Sequence, residues 1–192
     1  MGREISYFDS RGECIFMIFN KTEFNGVFII EIEKQIDERG FFARTWDKKK
    51  FEEYNLNSKL VQCNVSFNKK KGVLRGMHYQ IAPYEEAKLI RCTKGKIFDV
   101  IIDLRPKSNT FRQWFGVEIS DENYKMLYVP EGFAHGFQTL EDNTEIFYQM
   151  SEMYMPDYVR GIRYNDSIFD INWPITPAII SEKDRIYPSF KE

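Results

Sequence analysis

From Gly26 onward, short apolar runs follow one another along the chain, separated by Gly, Pro, Asn and Lys. Runs of this kind are typical of strands, and their close spacing is typical of a sandwich or barrel. The 17 Phe and 11 Tyr favour the same fold class, because aromatic rings pack well on a pleated, half-buried surface. The sequence therefore predicts an all-β fold with strands at Val27–Glu33, Phe41–Trp46, Leu60–Phe67, Val73–Gln80, Ala87–Thr93, Ile97–Leu104, Trp114–Ile119, Met126–Val129, Ala134–Leu140 and Thr144–Ser151.

The length and hydrophobic content of the chain suit a single domain. Its 192 residues are 43% hydrophobic, which is ample to fill one core. Residues 1–21 show no regular pattern, and we expect an N-terminal extension that packs late or on a neighbouring molecule. Residues 22–155 carry the predicted strands. Residues 156–192 lose the period-two pattern, so we expect a C-terminal segment of loops with a short helix or tight loop at 181–185.

Two segments carry more specific patterns. In Lys96–Arg105, Asp99 and Asp103 share one face of the predicted strand, and the other face carries Phe98, Val100, Ile102 and Leu104. A helix is predicted at Asp47–Asn55, because its first residue can cap a helix and two aromatic residues follow at helical spacing. The aromatic residues expected to face the core are Phe51 and Tyr54.

The balance of charges argues against a protein that binds nucleic acid through bulk positive charge. The chain has 27 basic and 29 acidic residues, a formal net charge of -2. The N-terminus has no basic stretch followed by a long apolar one, so we expect a cytoplasmic protein with no membrane association. Cys14, Cys63 and Cys92 are odd in number and widely spaced, which predicts reduced, buried thiols rather than a disulfide framework or a zinc site.

Both histidines of the chain lie in glycine-containing motifs of predicted strands. His78 lies in GVLRGMHYQ, and His135 lies in PEGFAHGF. Glycines beside a histidine in a strand indicate a bulge or the close approach of a ligand, although a lone histidine is more often structural. Arg75 precedes His78 by three residues, so an ideal strand would place the two on opposite faces. A bulge at Gly76 would bring both to one side; otherwise Arg75 faces solvent.

A series of sequence blocks stands in an order shared with a known family. The blocks are DERGFF, QCNVS, GVLRGMHYQ, AKL, DVIIDLR, PEGFAHGF and SEKD, together with Tyr148, Tyr154, Asn165-Asp166 and Trp173-Pro174. Over residues 21–187 the chain thereby resembles the dTDP-4-dehydrorhamnose 3,5-epimerases. One block alone would be weak evidence, but this many in one order make the resemblance specific.

The resemblance carries expectations about fold, assembly and activity. It implies a single domain with a cupin-like jelly-roll β-barrel and a few short helices. It implies a homodimer that exchanges N-terminal strands, and catalysis without a cofactor. The implied activity is that of an isomerase, an epimerase that inverts C3, C5 or both in a nucleotide-linked 4-keto-6-deoxyhexose through an enolate.

By position, the resemblance implies four catalytic residues. His78 would be the general base, and Asp184 would orient it. Tyr148 would be the general acid on the opposite face of the sugar ring, and Lys88 would stabilise the enolate oxygen. These side chains suit the chemistry, because loss of a proton beside a ketone gives an enolate that a nearby cation stabilises. Without the resemblance, Asp184 would be taken as part of a solvated charged segment, and Tyr148 would equally be a core residue.

The resemblance also implies residues of this chain that bind the substrate. Arg75 would help to stabilise the enolate oxygen. His135 and Lys183 would contact the sugar or the diphosphate. Tyr154 would stack on the nucleobase, unless it only seals one end of the barrel.

Four further residues are implied at the margins of the site. Gln62 and Asn64 would line the pocket. Arg39 and Phe41 would reach in from the neighbouring subunit of the dimer. A complete site would then require two copies of the chain.

Two positions depart from the pattern of the rhamnose-pathway enzymes. Arg44 stands where they carry an acidic residue, and Val159 stands near a position where they carry a glutamate. The departures bear on the substrate rather than on the catalytic set. We expect a pyrimidine-nucleotide-linked sugar, with dTDP favoured and CDP as the alternative, and the sequence leaves open whether one carbon or two are inverted.

Two other classes of protein compete with the epimerase. A jelly roll that binds sugar nucleotides without catalysis is disfavoured, since a binder needs no acid–base pair. A metal-dependent cupin uses a His-x-His pair, a nearby glutamate and a later histidine, whereas this chain has two histidines in all, so we expect no metal site. No dinucleotide fingerprint or Walker-type loop occurs, and we expect no nicotinamide or ATP site.

Overall fold

The computed structural model describes residues 17–190 and consists largely of strands. Two short helices, α1 (Lys48–Glu53) and α2 (Glu182–Arg185), and a 3-10 helix at Pro156–Tyr158 complete the regular structure of that range. The predicted all-β class with a few short helices is therefore confirmed. The strands are β1 (Met17–Lys21), β2 (Phe28–Ile32), β3 (Gln35–Asp37), β4 (Gly40–Phe42), β5 (Gln62–Asn68), β6 (Val73–Gln80), β7 (Lys88–Lys94), β8 (Lys96–Asp103), β9 (Trp114–Ser120), β10 (Met126–Val129), β11 (Phe133–Thr139), β12 (Thr144–Met150), β13 (Val159–Gly161) and β14 (Ile179–Ile180).

The strands are arranged in two large sheets and one separate hairpin. The first sheet has the order β1-β2-β10-β7-β12-β5, and the second has the order β13-β6-β11-β8-β9. Strand β14 joins the second sheet by pairing parallel to β6, whereas the other pairs in both sheets are antiparallel. Strands β3 and β4 form the hairpin. Over β5–β8 and again over β9–β13, successive strands alternate between the two sheets, which face each other as in a sandwich or barrel.

Three apolar clusters hold these layers together. The first contains buried side chains of both sheets, including Ile90 of β7 and Ile101 of β8. The second lies where α1 covers β1, β2 and β10, with Phe51 at 1% exposure. The third lies where the C-terminal segment, through Phe169, covers Val100 of β8. Both faces of β8 are therefore buried.

The alternation predicted for β8 is confirmed, although its polar face does not meet solvent. Val100 and Ile102 belong to the outer cluster, with Phe98 and Leu104 packed against it. Asp99 and Asp103, on the other face, are fully buried. A buried carboxylate needs hydrogen-bonding partners, so each of these residues must serve a specific contact.

A bulge between β6 and β11 decides which way the side chains of the GVLRGMHYQ motif point. His135 pairs with His78 and Phe137 pairs with Arg75, so β6 has one more residue than β11 over this interval. Gly76 lies inside the bulge with a φ of +116°, and a Cβ there would stand 2.5 Å from the Cα of Gly136. The predicted bulge is confirmed, and it brings Arg75 and His78 to the same side of the sheet.

Several boundaries and burial predictions were wrong. The strand predicted at Phe41–Trp46 ends at Phe42, and the residues that follow lead to the N-cap of α1, as which Asp47 was correctly predicted. Tyr54 is the C-cap of α1 and is 40% exposed, because it stacks on Phe19 of β1 rather than entering the core. The extension predicted to be irregular ends in β1, and its residues 1–16 lie outside the described range.

The prediction of buried thiols holds for one cysteine. Cys92 is buried in the cluster between the sheets, whereas Cys63 is exposed because it lies on the outer face of the edge strand β5. Cys14 lies outside the described residues. No helix within residues 17–190 is long and apolar enough to cross a membrane.

We predict that Gly136→Ala destabilises the protein through the close approach of β6 and β11. The new Cβ would stand 2.7 Å from the Arg75 carbonyl oxygen and from Met77 Sδ, and the backbone cannot retreat without opening the bulge. We expect the free energy of unfolding in urea to fall by about 1–3 kcal/mol. Glu118→Ala, at an exposed strand position, is the control and should change it by less than about 0.5 kcal/mol. Equal effects of the two substitutions would contradict this account.

Candidate active site

A cavity of about 510 Å³ lies at one end of the space between the sheets. Its wall is built by β5, β6, β7, β11 and β12, and β14 and α2 close it from the C-terminal side. Most of the residues predicted for the site meet here. Those that line the cavity are Arg75, His78, Lys88, His135, Tyr148, Lys183 and Asp184.

His78 and Asp184 form a hydrogen-bonded pair in the wall of this cavity. His78 Nε2 lies 2.7 Å from Asp184 Oδ1, and the Gly76 N–H donates to Asp184 Oδ2 at 3.4 Å. Burial alone would raise the pKa of the Asp184 carboxyl, but the bonds from His78, Gly76 and Ser181 outweigh it and hold the pKa below the ordinary value. An ionised carboxylate can only accept, so Nε2 carries a proton, and the neutral form of the ring would have its lone pair on Nδ1.

The short helix α2 places Asp184 opposite His78. Ser181 caps the helix, and its hydroxyl accepts the N–H of Asp184 at 3.1 Å. The strand β14 pairs parallel to β6 just before this cap, with Ile180 beside Leu74. The C-terminal segment is thereby held against the strand that carries the histidine, and the Asp184 side chain is 6% exposed.

Tyr148 lies on β12, in the sheet that faces His78. Its ring packs partly against the cluster between the sheets, and its residue lines the cavity. Burial raises the pKa of the Tyr148 phenol above its ordinary value, while the positive charge of Arg75 opposes part of this rise. The phenol is therefore protonated at neutral pH and is able to donate a proton.

Each of two cations in the cavity is held by a different kind of partner. The ammonium of Lys88 lies 2.8 Å from Glu86 Oε1, and both side chains are largely buried. The guanidinium of Arg75 donates through Nε to Asn68 Oδ1 at 2.8 Å. Lys183, on α2, adds a third positive charge to the cavity wall. Lys88 is thus paired with a negative charge, whereas the partner of Arg75 is neutral.

A second histidine–aspartate pair lies beside the first. His135 Nε2 is 2.7 Å from Asp99 Oδ1, and the two side chains are 12% and 0% exposed. Because His135 and His78 are directly opposite on β11 and β6, the two imidazoles stand next to each other in one wall. Asp99 comes from the inner face of β8.

A smaller cavity of about 150 Å³ adjoins the first, and His78, Lys88, Tyr148 and Lys183 line both. Tyr154, Val159, Met150, Glu86, Tyr79 and Gln80 complete its wall.

Gln62 and Asn64 belong to the support of this smaller cavity. Gln62 Oε1 accepts the N–H of Tyr154 at 2.5 Å, and Asn64 Nδ2 approaches Met150 Sδ at 3.4 Å. Both residues share a face of β5 with Ser66, which lines the larger cavity. Within the described chain, they stand behind the lining residues rather than among them.

Arg39 and Phe41 are placed away from both cavities, on the β3–β4 hairpin. Arg39 pairs with Asp37 and is largely exposed. Phe41 packs edge-to-face against Tyr124, and the ammonium of Lys34 lies over both rings. Within one chain these residues do not contribute to the site.

Sequence reasoning missed the polar partners of the cavity residues. Glu86, Asn68 and Asp99 each hold a charged or ionisable side chain. The ring of Tyr187 lies edge-on to the His78 imidazole, with the two ring centroids 5.9 Å apart. Asp99 carried a usable signal, since it shares a strand face with Ile97 and Ile101. Glu86 and Tyr187 carried no such signal in the sequence.

Across residues 17–190, no group of three or more His, Cys, Asp or Glu side chains is arranged to hold a metal ion.

Comparison with protein families shows which known proteins the chain is similar to. The family model described as dTDP-4-dehydrorhamnose 3,5-epimerase matches residues 21–192. The enzyme of that name from Methanothermobacter thermautotrophicus is 44% identical over 177 residues, which are 91% of this chain and 95% of the relative.

Solved structures agree with the family comparison. The dTDP-4-dehydrorhamnose 3,5-epimerase from Bacillus anthracis, solved with TDP and PPi bound, superposes with a TM-score of 0.87 at 41% identity, covering 91% of this chain and 99% of the other. The dTDP-6-deoxy-D-glucose-3,5-epimerase from Legionella pneumophila, in complex with dTDP-4-keto-L-rhamnose, has a TM-score of 0.82 at 38% identity, covering 88% and 89%. The resemblance seen in the sequence motifs and the cupin-like fold are both confirmed.

We predict that the ionised Asp184 carboxylate stabilises the fold. The pKa of this carboxyl is lowered in the folded protein, so its contribution is complete above the ordinary pKa of an aspartate and is lost as the pH falls through the lowered pKa. Asp184→Asn should lower the free energy of unfolding at neutral pH by about 1–3 kcal/mol. The difference from wild type should shrink in strong acid when urea unfolding is followed by circular dichroism across the pH range.

The control for this measurement is Asp157→Asn, at an exposed position in the 3-10 helix. We expect it to change stability by less than about 0.5 kcal/mol at every pH. An Asp184→Asn difference that grew on acidification would contradict the assigned charge state.

Proposed function

This chain belongs to the dTDP-4-dehydrorhamnose 3,5-epimerase family and is an epimerase, and from that premise we propose how its own residues perform the reaction. The substrate is a 4-keto-6-deoxyhexose linked to a pyrimidine nucleotide, with the dTDP sugar favoured. His78 and Tyr148 exchange protons with opposite faces of the sugar ring. The observation that carries the proposal is that these two side chains line one cavity together with Lys88 and Arg75.

His78 acts as the general base through Nδ1. Asp184 accepts the proton of Nε2, which fixes the tautomer and stabilises the imidazolium that forms when Nδ1 takes a proton. The proton that is removed lies beside the ketone, so its bonding electrons pass to the ketone oxygen and an enolate results. Asp184 is a positioning residue in this step, because it acts on His78 rather than on the sugar.

Lys88 and Arg75 stabilise the enolate oxygen. Both cations are positioned before substrate binds, by Glu86 and Asn68, so little reorganisation is needed as the negative charge develops. Tyr148 then donates its phenolic proton to the same carbon from the other face. Because burial raises the pKa of this phenol, the proton is present at the pH at which His78 acts as a base.

The rest of the substrate occupies the remaining lining. His135, held by Asp99, and Lys183 contact the sugar or the diphosphate. Tyr154, half exposed at the rim of the smaller cavity, stacks on the nucleobase. Val159 lines the same cavity as Tyr154, which supports an effect of its departure from the rhamnose-pathway pattern on the choice of nucleotide. A CDP-linked substrate and inversion of one carbon alone stay open as alternatives within the family.

The enzyme is proposed to work as a homodimer with exchanged N-terminal strands. Large apolar side chains remain exposed on β5 and on the β3–β4 hairpin, with Val65 at 60%, Ile36 at 71% and Phe42 at 62%. An exposed group of this kind indicates a protein interface. Arg39 and Phe41, on the same hairpin, would then reach the partner's cavity.

The predicted cytoplasmic location stays a prediction.

A jelly roll that binds sugar nucleotides without catalysis is the alternative of another class. Binding alone gives no reason for a phenol and an imidazole to line one cavity from opposite sheets. Solvent exchange separates the two functions directly, because a binding protein does not exchange carbon-bound hydrogen.

We predict that the protein incorporates solvent deuterium into dTDP-4-keto-6-deoxyglucose in heavy water, as counted by mass spectrometry. Two deuterons per product indicate inversion of both carbons, and one indicates a single inversion. His78→Ala should slow incorporation by on the order of 10²- to 10⁴-fold, since the base is lost. Tyr148→Phe should impair inversion while some exchange persists. The CDP sugar, run in parallel, tests the nucleotide.

Tyr54→Phe is the matched control, because Tyr54 stacks on Phe19 outside the cavity. It should retain both exchange and inversion. Full activity of both site variants, or no incorporation by folded wild-type protein with either nucleotide, would contradict the proposed function.

We predict that Val65→Asp weakens the dimer. A charge on the exposed face of β5 would have to be buried without a partner if this face is the interface. Sedimentation velocity should show a wild-type dimer and a shift towards monomer for the variant, while Asn109→Asp in an exposed loop changes nothing. A wild-type monomer would refute the proposed assembly.

A further inference from the structure

Glu86 stands in the wall of the smaller cavity without a place in the proposed chemistry. Its Oε1 lies 2.8 Å from Lys88 Nζ, and the side chains of the two residues are 4% and 11% exposed. Its other oxygen, Oε2, is buried and has no hydrogen-bond partner among the described residues. The carboxylate is thus almost completely removed from water, yet it makes a single contact, with the Lys88 ammonium.

Stability does not explain this arrangement. Removing a carboxylate and an ammonium from water costs several kcal/mol per ion, and a single good contact often does no more than offset that cost. The buried oxygen without a partner adds a further penalty. An apolar pair of similar size would serve the fold at least as well, so the pair is better explained by what it does to Lys88.

The backbone that directly follows Glu86 is fixed by hydrogen bonds. Ala87, the next residue, donates its N–H to Ser151 Oγ at 2.8 Å and accepts the N–H of Ser151 at 3.0 Å. Lys88 begins β7 and pairs with Val129 and Met150 in the neighbouring strands. The carboxylate therefore projects from a rigid support towards a lysine on an equally rigid strand.

A lysine side chain needs such a partner more than an arginine does. Four rotatable bonds separate the ammonium from the backbone, and its three N–H donors have no fixed plane. When one donor is bound to Glu86 Oε1, the position of the nitrogen is set and the other donors are available to the cavity. Asn68 fixes the guanidinium of Arg75 in the same way, through a neutral amide oxygen.

We propose that Glu86 is a positioning residue that holds the Lys88 ammonium at the place where the enolate oxygen forms. The inference rests on the proposed function, since it assumes that Lys88 stabilises the enolate. The length of the Glu86 side chain, which we call its reach, matters more than its charge in this account. The contact with Lys88 is made by Oε1 alone, and Oε2 has no partner among the described residues.

Two substitutions separate reach from charge. Glu86→Gln keeps an oxygen at the same distance but removes the charge, and we expect it to retain most of the wild-type kcat. Glu86→Asp keeps the charge but withdraws the oxygen by one methylene, and Glu86→Ala removes it. We expect these two to lower kcat by on the order of 10²-fold, the scale of an ångström-sized misplacement, with little change in KM. Glu85→Ala, at the exposed neighbour, is the matched control and should behave as wild type.

A double-mutant cycle tests whether Glu86 acts through Lys88. If it does, Glu86→Ala should have no further effect on kcat when it is added to Lys88→Ala. Additive losses, unchanged kcat in Glu86→Asp, or Gln and Asp variants that are equally impaired would overturn the inference. If Lys88→Ala lowers kcat strongly but Glu86→Asp leaves it unchanged, the inference about Glu86 fails while the proposed role of Lys88 stands. If Lys88→Ala leaves kcat unchanged, the enolate role of Lys88 fails as well. Thermal unfolding confirms that each variant is folded, and the Gln–Asp contrast decides the matter if the alanine variant is not.

Discussion

The hydrogen bond between His78 and Asp184 is the contact on which the geometry of the site depends. It joins β6 to α2 across 106 positions of the chain, so the last segment of the protein must be in place before the base is complete. The bulge at Gly76 and the cap at Ser181 turn the two side chains towards each other. Together they convert a strand residue and a residue of a short helix into one acid–base unit.

Other ionisable side chains that face the cavity are fixed in the same way as His78, each by a polar partner behind it. Asp99 holds His135, Asn68 holds Arg75 and Glu86 holds Lys88. Partners of this kind orient a group before substrate arrives, and such preorganisation is the largest single contribution to catalysis in many enzymes. The partners differ in charge, because Arg75 is held by a neutral amide oxygen whereas Lys88 is paired with a carboxylate.

Much of the fold was readable from the sequence because strand periodicity is a local property. The bounds of Val73–Gln80 and Met126–Val129 were predicted to the residue, and the cap at Asp47 was recognised from its side chain. Strand β1 was missed because its sequence does not alternate, and its pairing with β2 decides its structure.

The candidate site could likewise be predicted only in part. Resemblance placed His78, Tyr148 and Asp184 in one cavity, and the bulge that brings Arg75 beside them was anticipated from a glycine. Glu86 could not have been assigned, since the sequence does not show that a residue just before β7 is buried against a lysine. That fact depends on the contact of its neighbour with Ser151, which is distant in sequence and is formed only by folding.

The tautomer of His78 tests the central claim most directly. The chain has two histidines, so ¹⁵N NMR of protein labelled at histidine gives two imidazoles, and a His135→Gln variant assigns them. At a pH where the ring is neutral, the account predicts that Nε2 of His78 carries the proton and Nδ1 shows the shift of a nitrogen with a free lone pair. A proton on Nδ1, with Nε2 unprotonated, would mean that Asp184 does not hold the base in the assigned state and would contradict the mechanism.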